Sequence, residues 1–147
     1  RGEVGRVHPD VADALNNLGA VAVAEGAYRE SIEHFRGALE IVEETHGPHH
    51  RDLAITLLNM GTAYLELEEA EDAVLLLSRA LDILIRNSST DLQMAEVRFA
   101  LARAHWMHSQ DLVRAQQLAE LARRSYESSP GAEERLEDIE AFLDELL

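Results

Sequence analysis

Apolar residues recur along this chain at intervals of three and four, the spacing of one face of an α-helix. Val11, Leu15, Leu18 and Ala22 form a first run, and Tyr28, Ile32, Phe35, Ala38, Leu39 and Val42 a second. Gly26 falls between the two, where a helix ends in a left-handed residue. His46-Gly47-Pro48-His49 and Asn87-Ser88-Ser89-Thr90 lack that spacing and read as breaks. The pattern predicts helices near residues 10–24, 28–45, 52–67, 70–86, 91–108 and 112–128. Asp10, Asp52 and Asp91 stand where an N-cap would accept the first free amides. In residues 130–147, Leu136, Ile139, Phe142, Leu143 and Leu146 make one stripe. Glu133, Glu134, Glu137, Asp138, Glu140, Asp144 and Glu145 occupy the opposite side, which predicts an amphipathic helix.

The runs repeat. Displaced by 42 residues, His8-Pro9-Asp10-Val11-Ala12 falls on His50-Arg51-Asp52-Leu53-Ala54, and Leu15, Asn17, Leu18 and Gly19 fall on Leu57, Asn59, Met60 and Gly61. A second displacement brings Phe99, Ala102 and Trp106 under Leu57, Met60 and Tyr64, and Ala115, Ala119 and Ala122 under Ala73, Leu77 and Ala80. Three copies in register imply stacked helix pairs, a solenoid in which each unit contacts only its neighbours. The expected division is a tail at 1–7, repeats at 8–49, 50–90 and 91–129, and a capping helix at 130–147. The cap closes the C-terminal stacking face. No equivalent helix stands before residue 8, which suggests a piece of a longer protein with further repeats upstream.

These residues resemble the tetratricopeptide repeat over roughly residues 8–128. Leu15, Leu18, Gly19, Ser31, Phe35 and Ala38 match its signature in copy one, and Leu57, Met60, Gly61, Tyr64, Ala73, Leu77 and Ala80 in copy two. Copy three departs from it, with Arg103 in place of the usual glycine. The 42-residue period and the His-Pro-Asp-Val-Ala start are similar to the kinesin-light-chain variety. The tail around Phe99–Ala104, Arg114–Ala119 and Ile139–Leu143 looks like the C-terminal end of bacterial serine/threonine kinases carrying such arrays, although no kinase catalytic motif occurs in the chain. The resemblance implies an all-α, right-handed solenoid whose concave wall is lined by the first helix of each pair. Its groove positions are Asp13, Asn16, Asn17, Ala20, Val23 and Ala24 in copy one. Copy two supplies Ile55, Leu58, Asn59, Thr62, Leu65 and Glu66, and copy three Val97, Ala100, Leu101, Ala104, Met107 and His108. No Lys or Arg is among them. The expectation is a groove that rejects carboxylate ligands, which need cations, and takes an apolar segment or amphipathic helix. Asn17 and Asn59 are placed either to pair with a peptide backbone or to bridge helices.

Composition narrows the partners. Acidic residues number 28 against 13 basic ones, all of them Arg, for a net charge of −15. Such a surface repels phosphate backbones and anionic lipid, so nucleic acid and membrane are set aside as partners. No cysteine is present, which removes disulfides, thiolate metal sites and a cysteine nucleophile. No run approaches 18 apolar residues and no secretory signal is visible, so a cytoplasmic location is expected. Of the seven histidines, His46, His49 and His50 cluster in one linker and His105 and His108 share a helical face. Neither set has the converging ligands a zinc ion needs, so no metal or other cofactor is expected. Neither a phosphate loop nor a nucleophile beside a base occurs, so the chain reads as a non-enzymatic scaffold. Its expected partner is a protein or peptide, or a second copy of itself.

Overall fold

Helix hairpins form here because short turns join segments whose apolar stripes face each other. The computed structural model describes residues 9–147. The described residues form α1 (Pro9–Ala24), α2 (Tyr28–His46), α3 (Asp52–Glu66), α4 (Ala70–Arg86), α5 (Asp91–Ser109), α6 (Leu112–Glu127) and α7 (Glu133–Glu145). The tail at 1–7 and His8 lie outside the described residues. α1 packs on α2, α3 on α4 and α5 on α6, while α2–α3, α4–α5 and α6–α7 contacts join the pairs in series. No described helix is long and apolar enough to cross a membrane.

The turn within each pair is built the same way. Gly26 takes φ 75°, and the Ala27 amide donates to the Ala22 carbonyl at 2.8 Å. One period on, Glu68 takes φ 59° and Glu69 N–H reaches the Tyr64 carbonyl at 2.9 Å; a further period on, Gln110 takes φ 53°. Only the first of these equivalent positions carries the residue that adopts this conformation freely. The helix starts differ from expectation. Asp52 and Asp91 lie inside the first turns of α3 and α5, where they complement the helix dipole. Arg51 precedes α3 without a side-chain cap. Thr90 caps α5 in a reciprocal capping box with Gln93, which its Thr-x-x-Gln spacing signals. Asp111 caps α6 by accepting from Arg114 N–H at 3.1 Å.

Close approach within the pairs rests on glycine. A Cβ on Gly19 would lie 2.5 Å from Phe35 Cε1, and one on Gly61 would lie 2.6 Å from Leu77 Cγ. In copy three the sizes are exchanged, with Arg103 for the glycine and Ala119 for the large partner. The core continues from pair to pair. Phe35, Leu53, Leu57 and Ile83 centre the first part, Leu65, Leu77, Leu101 and Ala104 the middle, and Ala102, Ala119, Tyr126 and Ile139 the last. The cap docks through Ile139, Phe142 and Leu146, with Phe142 edge-on to Phe99 at 5.8 Å between centroids. An ion pair, Arg135 to Glu96 at 3.2 Å, also ties α7 to α5. Its acidic side faces outward.

The two ends are unlike. Val11, Leu18 and Val21 are 45%, 50% and 54% exposed on α1, whereas their equivalents Leu53, Met60 and Ala63 are 0%, 2% and 1% exposed on α3. The first pair covers that stripe in the second. No described residue covers it in the first.

Candidate binding groove

Along the first helices of the pairs runs a cavity of about 340 Å³. Val23 of α1 and Tyr28 of α2 close one end. Leu58, Asn59, Thr62 and Glu66 of α3 line it, and so do Glu96, Phe99, Ala100 and Arg103 of α5. Tyr126 of α6 and Arg135 of α7 close the other end. A second cavity of about 490 Å³ shares Phe99, Arg103 and Arg135 with the first and adds Trp106 and Met107 beside the cap. The floor is apolar and aromatic, with a few polar groups spaced along it, the usual make-up of a recognition site. Thr62 donates its hydroxyl proton to the Leu58 carbonyl at 2.8 Å, so its oxygen offers lone pairs. The Asn59 amide makes no hydrogen bond among the described residues and is available to a ligand.

Of the eighteen expected groove positions, Val23, Leu58, Asn59, Thr62, Glu66 and Ala100 line the first cavity, and Met107 lines the second. Asn17, Ala20 and His108 are exposed outside both. Asn16 instead accepts from the Thr56 hydroxyl at 3.0 Å, so it is Asn16 that bridges α1 and α3, within a separate depression shared with Asp13 and Ile55. Asn17 makes no such bridge. Leu65, Leu101 and Ala104 correct the expectation: all three are buried in the core between α3, α4 and α5 and cannot touch a ligand. Val97 is buried as well.

For Leu101 and Ala104, the two of those three on α5, the buried face is shifted round the helix compared with that of α3. Copy two buries Ala54, Thr56, Gly61 and Ala63, but copy three carries Glu96, Arg98, Arg103 and His105 there. Charged groups stay at the surface unless paired, so α5 turns that side outward. It buries Val97, Ala100, Leu101 and Ala104 against its neighbours instead. Those four polar substitutions were the available sign that groove positions do not carry over to copy three.

The same turn corrects the expectation of a groove without cations, because Arg103 and Arg135 both line it. Arg135 pairs with Glu96, while Arg103 has no ion pair or hydrogen bond among the described residues. Tyr126, only 3% exposed, carries a buried hydroxyl without a partner. Burial, and next the Glu96 charge, push its pKa up to about 12 against the opposing pull of Arg135, so the phenol is a neutral donor near pH 7. His105 is held below its ordinary value, by burial first and by Arg114 second, which favours the neutral ring. Among the described residues no three His, Cys, Asp or Glu side chains are grouped to hold a metal ion.

Helix pairs of one length, stacked in series and leaving a trough along their first helices, define an α-helical repeat array. A tetratricopeptide-repeat family profile matches residues 10–86, just over half the chain, and the chain belongs to that family. A search of curated proteins finds no match. Among solved structures the fold is similar to BtubC (BKLC) from P. vanneervenii, with a TM-score of 0.82 at 21% identity. That match covers 98% of this chain and 58% of the other, so the chain spans little more than half of that protein's length. It is also similar to the nearly identical repeats of a putative kinesin light chain from Podosopora anserina (TM-score 0.73, 18% identity, 91% of this chain and 67% of that one). A third similar structure is the first repeat domain of Spaghetti (RPAP3) bound to the HSP90 peptide SRMEEVD (TM-score 0.67, 17% identity, 94% and 97%).

Proposed function

We propose that this chain is a protein-interaction scaffold that holds an extended peptide or a helix along the trough between Val23 and Met107. The observation that carries this is the cavity lined by Leu58, Asn59 and Thr62, an apolar floor with an unengaged amide in its centre. Desolvation of Val23, Leu58 and Phe99 supplies affinity, and Asn59 fixes the direction of a bound backbone by donating and accepting at once. A repeat domain of the same fold holds a peptide of HSP90, which supports peptide capture as a use of this architecture. Selection from a display library of ten-residue peptides on the whole chain tests the proposal. Selected peptides lose about tenfold or more in affinity with Asn59→Ala or Val23→Asp, while Gln117→Ala on the far side leaves binding unchanged. Failure to enrich any sequence, or enrichment indifferent to Asn59 and Val23, overturns it.

A second reading follows from α1. Its exposed Val11, Leu18 and Val21 stripe is the surface that, one period later, is covered by a preceding pair. Self-association, or stacking against another helix pair, is the use that fits such a stripe.

A further inference from the structure

The open stripe on α1 reads alike from either end. Val11, Ala14, Leu18 and Val21 are exposed at intervals of three, four and three, whereas Leu53, Thr56, Met60 and Ala63, their equivalents one period on, are buried. Laid antiparallel on a second copy of itself, the stripe sets Val11 against the partner's Val21 and Ala14 against the partner's Leu18. A two-fold axis then repeats both pairs. The only carboxylates of α1, Asp10 and Asp13, stand near its start. Antiparallel pairing keeps them apart from their counterparts and opposes the two helix dipoles, while parallel pairing brings like charges together. Asn17 flanks the middle of the stripe, exposed and without a hydrogen bond among the described residues. Near the axis it meets its own counterpart, and an amide both donates and accepts.

The far end of the molecule does not suit that stripe. Ile32 and Leu39 of α2 share a core with α3, and Val74 and Leu81 of α4 share one with α5. At the same positions α6 carries Gln116 and Arg123. Arg123 is held by Glu120 at 2.6 Å and by Glu127 at 2.7 Å, with Glu140 of α7 close enough to act on its charge. The apolar part of that end already lies under Ile139, Phe142 and Leu146. Head-to-tail stacking, which has no closure, therefore sets an apolar stripe on charged groups and an occupied face. What matches α1 in a second copy is α1.

We infer that two copies of this chain pair through α1 about a two-fold axis, an inference that rests on the reading of the stripe as a stacking surface. The seam is small. With 16 residues α1 is about 24 Å long, and one such helix falls short of the ~800 Å² per partner of a stable complex. The pairing is weak, concentration-dependent and complete at two copies.

Sedimentation velocity over a dilution series of the whole chain reads the assembly. The expected result is a mass that rises from one chain to two at micromolar concentrations or above, with no larger species. Leu18→Asp weakens the association about tenfold or more. The sequence has no cysteine, so Asn17→Cys places a single thiol beside the axis. Under mild oxidation this variant forms a disulfide-linked dimer, and adding Leu18→Asp to it suppresses the link. Gln117→Cys, exposed on α6, gives the background rate. Species larger than two, or association in which Asn17→Cys links no faster than Gln117→Cys, overturns the two-fold pairing and leaves self-association through the stripe standing. Association indifferent to Leu18→Asp overturns both. A chain that stays single at every concentration overturns the pairing and leaves another helix pair as the occupant of the stripe.

Discussion

Gly61 and Leu77 show how closely one residue's size is tied to another's. A Cβ at Gly61 would meet Leu77 Cγ at 2.6 Å, far inside contact distance. Gly61→Ala is expected to cost about 1–3 kcal/mol through overpacking, read by urea unfolding. Leu77→Ala alone opens a cavity where the side chain is now fully buried and costs about 2–5 kcal/mol. Combined, the two losses fall short of their sum by about 1 kcal/mol or more, because the alanine methyl enters space the leucine leaves. Strict additivity would show that the glycine is there for another reason. Copy three carries Arg103 and Ala119 at these two positions, and its α5–α6 hairpin still forms.

At the scale of the element, helix positions were legible in the sequence to within a few residues, since the spacing of Leu15, Leu18 and Ala22 leaves one face to bury. What ends the helices was legible only in part. Gly26 announced its turn, but Glu68 and Gln110 adopt the same left-handed backbone without glycine, and only the period marks them. The left-handed region costs an ordinary residue about 1–2 kcal/mol. Glu68→Gly and Gln110→Gly are therefore each expected to stabilise the chain by about 1 kcal/mol, seen as a rise in Tm. A fall in Tm for both would mean that the side chains, rather than the turn, matter there. The start of α5 carries a similar lesson. Thr90 and Gln93 form the cap that their spacing encodes, whereas Asp91 only resembles one by falling in register with Asp52.

For the whole molecule, some of the residues that line the cavity stand at groove positions the family resemblance implies, and others do not. Leu58, Asn59 and Thr62 follow from the register. Arg103, Tyr126 and Arg135 depend on how α5 turns and where the cap docks, which lie beyond any single repeat. The period also predicts which surfaces tolerate charge. Leu18→Asp, on the open stripe of α1, is expected to leave Tm within a few degrees and to abolish any concentration-dependent light scattering. Met60→Asp, one period on and fully enclosed, is expected to unfold the chain by burying an unpaired carboxylate. Equal Tm values for the two variants would refute a stacking asymmetry.

The outward turn of α5 also fixes the order of the array. Were the second and third units transposed by gene shuffling, Glu96, Arg98, Arg103 and His105 would be forced into seats that Ala54, Thr56, Gly61 and Ala63 now fill in the dry interior. Units that look interchangeable on paper are therefore committed to their places, and any lengthening of this array by duplication has to copy the middle unit, never the last.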